Sequence, residues 1–145
     1  MIDPPGSISR PGLGFAERMA AATITRSERA FEQLIRELGN GSLPSEELFD
    51  VLRLGFTSFK LAQPFPRRMS DRDLRSISRP MQFLIGEHTP VTDPRRALAR
   101  LQRVVPDVRT EVIAGAAHVP PIEQPDVTNA LVLGFIERIE RESSG

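Results

Sequence analysis

The sequence predicts an α/β chain in two parts: amphipathic helices through the first half, then a βαβα unit whose strands run parallel. Three observations lead there. From Gly14 to about Arg75 apolar residues recur every three or four positions, the period of a helix. After Pro80 the pattern changes to a short apolar run, "MQFLI", stopped by Gly86, which reads as a strand covered on both faces. A second strand pattern follows only after a helix-length segment, and strands joined by so long a connection pair in parallel through a right-handed crossover.

Each element has its own signal. Phe15, Met19 and Ala22 share a face of the first helix. Ser27 caps a second, with Phe31, Leu34, Ile35 and Leu38 on one side and Gly39 closing it. Ser45 opens a third, where Glu46 and Glu47 suit the positive end of the helix dipole. That helix carries Leu48, Val51, Leu52, Phe56 and Phe59 to about Leu61 and is the most apolar of the three. "AQPFPRR" breaks the chain, and Ser70 with Asp71 starts one more short turn before Arg79-Pro80 ends the region. Beyond the first strand, Asp93 caps a helix with Pro94 at its first position and Ala97, Leu98 and Leu101 on one side. "DVRTEVIAG" alternates as a second strand, and "PDVTNALVLGFIERIERE" closes the sequence as an amphipathic helix. A strand like "MQFLI" expects neighbours on both edges, yet the chain offers only one further clear strand.

Composition bounds the function. The chain has 145 residues, 39% apolar and 26% charged, which fits a globular chain of one-domain size. Nineteen basic residues balance nineteen acidic ones, so no polyanion is implied and a nucleic-acid partner is disfavoured. The absence of cysteine removes disulfides, thiolate metal sites and thiol nucleophiles. "MIDPPGSISRPG" is not a signal peptide and no stretch is apolar enough to span a membrane, so the sequence reads as cytoplasmic. Neither G-x-G-x-x-G after a strand nor a P-loop is present, and no metal-ligand spacing surrounds His88, so no cofactor or metal is expected.

Residues 80–136, from "PMQFLIGEHTPVTDPRRALARLQRVV" through "PDVRTEVIAGAAHVPPIEQPDVTNALVLGFI", resemble the C-terminal portion of the α/β-hydrolase fold superfamily, in its lidded esterase, lipase and haloperoxidase-like branch. Gly115, Ala116, Ala117, His118, Glu123 and Pro125 stand at the spacing of that family's G-x-x-H loop and final helix. The opening "IDPP" is similar to the end of the strand that leads into the family's helical lid. The resemblance implies an incomplete α/β-hydrolase fold, with residues 1–79 as the helical lid or cap region and residues 80–145 as the βαβα part of the core.

The same resemblance assigns chemistry. Ester hydrolysis needs a base to take the nucleophile's proton, and imidazole titrates near neutral pH. His118, on a small-residue loop past the carboxyl end of a parallel strand, stands where open α/β sheets hold ligands. The acid that orients such a histidine usually occupies the fourth place of G-x-x-D/E, and here "GEHT" puts Thr89 there. Asp93 and Glu87 are the nearby carboxylates that could substitute, each with a plainer role as helix cap or turn residue, and His88 lies on the same loop. The nucleophile elbow, G-x-S-x-G, does not occur: Ser7, Ser9 and Ser42 stand near glycines at the wrong spacing. Phe15, Phe31, Phe56 and Phe59 would line an apolar substrate pocket beneath a lid.

Two functions are therefore expected. The chain is a C-terminal fragment of a serine hydrolase with His118 as general base, inactive alone, acting on a small apolar ester once an N-terminal half completes it. Alternatively it is a non-catalytic interaction module that pairs with itself or with a hydrolase homologue through its open sheet edge and apolar helix faces.

Overall fold

The computed structural model describes residues 1–4, 7–58 and 67–144. Four helices come first: α1 (Leu13–Thr25), α2 (Glu28–Leu38), α3 (Glu46–Ser58) and α4 (Asp71–Arg75). Then follow β1 (Met81–Gly86), α5 (Pro94–Val104), β2 (Val108–Ile113), the single turn α6 (Pro120–Glu123) and α7 (Pro125–Ser143). The expected end of the third helix near Leu61, and Phe59 with it, lie outside the described residues.

The caps that mark these helices in the sequence are made. The Ser27 side chain accepts from the Ala30 amide at the start of α2, and Ser70 and Asp73 exchange bonds in a capping box on α4. Asp73 is held below the usual carboxylate pKa by the Ser70 hydroxyl and then by its backbone amide.

β1 and β2 pair in parallel, with Met81 opposite Val108 and Gly86 opposite Ile113. On its other edge β1 bonds to the start of the chain: Ile2 forms a parallel bridge to Leu84, whose carbonyl accepts from the Asp3 amide at 2.8 Å and whose amide donates to the Met1 carbonyl at 2.9 Å. The apolar run at 81–86 thus has a neighbour on each side. Both of its faces are covered as well. Phe83 and Ile85 pack with Ala97 and Leu101 of α5, Leu74 of α4 and Ile8, while Leu84 and Ile113 meet Leu131 and Val132 of α7 on the opposite side.

A buried arginine joins the first segment to this core. Arg100 donates to Asp71 from Nε at 2.8 Å and from Nη2 at 2.7 Å, and to the carbonyls of Ile8 and of Met69. The Arg100 guanidinium holds the Asp71 carboxyl below its ordinary pKa. The helical region has its own core, with Phe15, Ala22 and Leu34 around Val91. α3, expected from its apolar stripe to be the most apolar of these helices, buries no residue fully: Phe56 packs against that core while Val51 and Leu54 are exposed. On α7, Leu133 and Ile136 are exposed too. An apolar stripe signals a face that would gain from burial, and does not specify a partner. No helix among the described residues is long and apolar enough to cross a membrane.

Candidate active site

The site is built where the ends of β1, β2 and the bridged segment at Ile2 converge. β2 ends at Ile113, and the chain turns through Gly115, whose φ of +71° favours glycine. It then crosses the end of β1 to place His118 on the far side. The crossing depends on Gly86: a Cβ there would lie 1.8 Å from the Ala117 carbonyl oxygen. Ala116 and Ala117, both fully buried, are small enough to pass.

Beyond the crossing, His118 Nδ1 lies 3.1 Å from Asp3 Oδ2. The Asp3 side chain is 1% exposed and that of His118 is 21% exposed, so the carboxylate is enclosed while the imidazole reaches solvent. An ionised carboxylate can only accept, so in a neutral ring this contact favours the tautomer with the proton on Nδ1 and the lone pair on Nε2. Asp3 holds a φ of +29°, an uncommon value for a residue with a side chain, though aspartate tolerates it better than most. Asp3 Oδ1 is buried with no hydrogen-bond partner among the described residues, and so is the Thr89 hydroxyl.

The carboxylates considered from the sequence stand elsewhere. Asp93 caps α5, its Oδ1 accepting from the Arg96 amide at 3.1 Å, and the carboxylate that His118 meets is that of Asp3, ninety positions earlier in the chain. Glu87 accepts from the Gly115 amide at 3.0 Å and so braces the loop without reaching the ring. His88 is half exposed beside Glu87. Among the described residues no serine hydroxyl bonds to His118: Ser7 donates to the Pro4 carbonyl, and Ser9 pairs with Thr92.

A cleft of about 590 Å³ lies between the helical region and the histidine loop, lined by Ile35, Leu38, Leu48 and Leu52 on one side and by Val119 and Ile122 on the other. Of the four aromatics expected to line a pocket, Phe59 lies outside the described residues and the other three stand elsewhere. Phe15 is buried in the helical core, and Phe31 stacks on Phe56 at 4.6 Å between centroids; none of the three faces the cleft. Rings that stack on one another inside a bundle satisfy the same periodicity as rings that line a pocket.

Asp3 was missed because it lies 115 positions from its partner, in a segment too short to read as a strand. Its one local signal is the "IDPP" opening, which marks a strand end.

No protein-family model matches the chain. Over 74 residues, 51% of its length, it is 43% identical to the uncharacterized carboxylesterase nap of Bacillus subtilis strain 168, a stretch that makes up 25% of that protein. It is 33% identical over 72 residues to carboxylesterase YbfK of the same organism, covering 50% of this chain and 24% of the relative. The crystal structure of naproxen esterase (carboxylesterase NP) from Bacillus subtilis superposes with a TM-score of 0.81 at 26% identity, over 93% of this chain and 49% of that one. The chain therefore spans about half the length of the solved structure, and its matched stretch covers about a quarter of each curated relative.

Proposed function

Since the chain has the fold of the C-terminal portion of an α/β-hydrolase and is related in sequence to carboxylesterases, we propose that it supplies the acid–base half of an esterase active site. His118 is the general base and Asp3 the acid that orients it. Residues 1–79 then correspond to the strand end and helical lid, and residues 80–145 to the closing part of the core. One observation supports this reading above the others: the imidazole past the end of a parallel strand has Nδ1 tied to an enclosed carboxylate at 3.1 Å. That arrangement serves proton abstraction at Nε2 and stabilises the imidazolium that results. The hydroxyl nucleophile and the oxyanion donors come from a second stretch of polypeptide, because the sequence contains no G-x-S-x-G. The substrate is an uncharged ester whose apolar group occupies the aliphatic cleft beside Val119.

The test is a chimera that joins this chain to the N-terminal half of the Bacillus subtilis naproxen esterase, assayed with a short-chain aryl ester. Turnover is expected from the chimera and not from the chain alone. His118→Ala and Asp3→Asn should each lower kcat by roughly 10⁴-fold, the usual effect of losing the base or fixing the wrong tautomer. Turnover indifferent to both substitutions would refute the assignment.

The exposed apolar side chains on α3 and α7 favour a second reading, a non-catalytic module that pairs with itself or with a hydrolase homologue. A monodisperse dimer by light scattering, together with a chimera that binds ester without cleaving it, would decide for that reading.

A further inference from the structure

Each backbone amide from Gly115 to Val119, in the loop that carries His118, has an acceptor, and two of these amides share one. The Gly115 amide donates to Glu87 Oε2 at 3.0 Å, the Ala116 amide to the Ile113 carbonyl at 3.3 Å, and the His118 amide to the Leu38 carbonyl at the end of α2, at 3.0 Å. The two amides that flank the histidine, Ala117 and Val119, both donate to Glu123 Oε2, at 2.9 and 3.0 Å.

We propose that Glu123 is a positioning residue for His118, a single carboxylate oxygen that holds the backbone on both sides of the imidazole. Glu123 ends α6, whose N-cap Val119 has no side-chain cap and whose first two residues, Pro120 and Pro121, have no N–H to offer. The carboxylate reaches back to the N-cap amide of Val119, as the glutamate of a capping box does but from four residues on, and across the histidine to the Ala117 amide, six residues back. Ala117 is fully buried, so its N–H finds no water unless the loop opens. Bonds from amides to a carboxylate are also the stronger kind. Glu123 thus fixes the backbone at 118 while Asp3 fixes the ring, and the 3.1 Å contact at Nδ1 needs both.

Calling His118 the base rests on the esterase reading, but the hold on the loop is measured without it. The experiment is NMR on the ¹⁵N-labelled full chain, reading amide exchange at 117 and 119 and the ¹⁵N signature of the His118 ring tautomer, with no nucleophile or ester present. Glu123→Ala is expected to speed exchange at both amides roughly tenfold, the effect of one lost hydrogen bond each. It should also mix the ring tautomers, while β1 amides stay unchanged. Glu123→Gln keeps an oxygen that can accept from both amides and is expected to restore both signals. Unchanged exchange and ring signals in Glu123→Ala, or a Glu123→Gln no better than Glu123→Ala, would overturn the proposal. Should Glu123→Ala fail to fold, Glu123→Asp, one methylene shorter, replaces it: faster exchange with mixed tautomers supports the proposal, and unchanged signals overturn it. A chimera without turnover whose ring still responds to Glu123 would reject the esterase reading and leave this one standing.

Discussion

Gly86→Ala is the most direct challenge to the geometry of the site. The added Cβ would sit 1.8 Å from the Ala117 carbonyl oxygen, 2.7 Å from its carbonyl carbon and 2.8 Å from the Ala116 oxygen. Ordinary contact begins at 3.4 Å, so the loop must retreat by about 1.6 Å at its nearest atom. The obstruction is backbone on both sides, and no side-chain rotation relieves it. His118 follows Ala117 directly, so a shift of that size takes Nδ1 out of reach of Asp3 from its present 3.1 Å. Overpacking costs about 1–3 kcal/mol, and with rigid neighbours the upper end applies, a fall in Tm of roughly 6–12 °C for a domain of this length. In a completed active site a displacement above 1 Å costs on the order of 100-fold in kcat. Thermal unfolding by circular dichroism and the ring signals of His118 read the two effects. The control is Gly134→Ala in α7, where a Cβ meets nothing within 4 Å and helix propensity should stabilise by a few tenths to about 1 kcal/mol. A Gly86→Ala chain that melts within about 2 °C of the parent with an unaltered His118 ring would refute the argument that the loop crosses the end of β1.

Two further outcomes separate fold from chemistry. Asp93→Ala removes a helix cap and should cost about 1 kcal/mol in denaturant unfolding while leaving the His118 ring signals unchanged; altered ring signals would restore Asp93 as a candidate acid. Asp71 has its folded-state pKa below the ordinary 3.8, so its stabilising contribution is complete above that value and is lost as pH falls through the folded one. Urea midpoints should therefore drop below about pH 4 in the parent, and Arg100→Met should remove part of that dependence. The same substitution should cost on the order of 3 kcal/mol at neutral pH, since the buried guanidinium also serves two carbonyls. A parent and variant with the same acid profile would show that the pair contributes nothing.

The βαβα half was legible because its signals are local. Pro80 and Gly86 delimit a run covered on both faces, Asp93-Pro94 starts a helix at the expected place, and the length of the crossover dictates parallel pairing. The helical half was legible as elements and not as packing. Leu48, Val51 and Leu52 share a stripe that reads the same whether it is buried, lines a cleft or lies open to solvent; in the structure Leu48 and Leu52 line the cleft and Val51 is exposed. Phe31 and Phe56 show the same ambiguity, since they stack on each other away from the cleft.

The contact between Asp3 and His118 was illegible because proximity at a sheet end is not proximity in sequence. Position 89 follows β1, and position 3 follows the segment that bonds to the opposite edge of β1 from β2. Parallel neighbours end at the same side of the sheet, so a carboxylate leaving either one starts near the point that the β2 loop reaches across Gly86. A threonine at 89 therefore does not leave the imidazole without a partner, provided that the adjacent strand end carries the charge. The requirement that remains fixed is on the base, whose loop must cross β1, which confines Gly86 to glycine and Ala116 and Ala117 to small residues. In the proposed site the acid is thus the interchangeable member and the crossing is not. Thr89→Glu alone should build a second, competing carboxylate beside a buried Asp3, and Thr89→Glu with Asp3→Asn should return the Nδ1–H tautomer that Asp3→Asn loses. If that double variant leaves the ring as disordered as Asp3→Asn, the two strand ends are not equivalent in space.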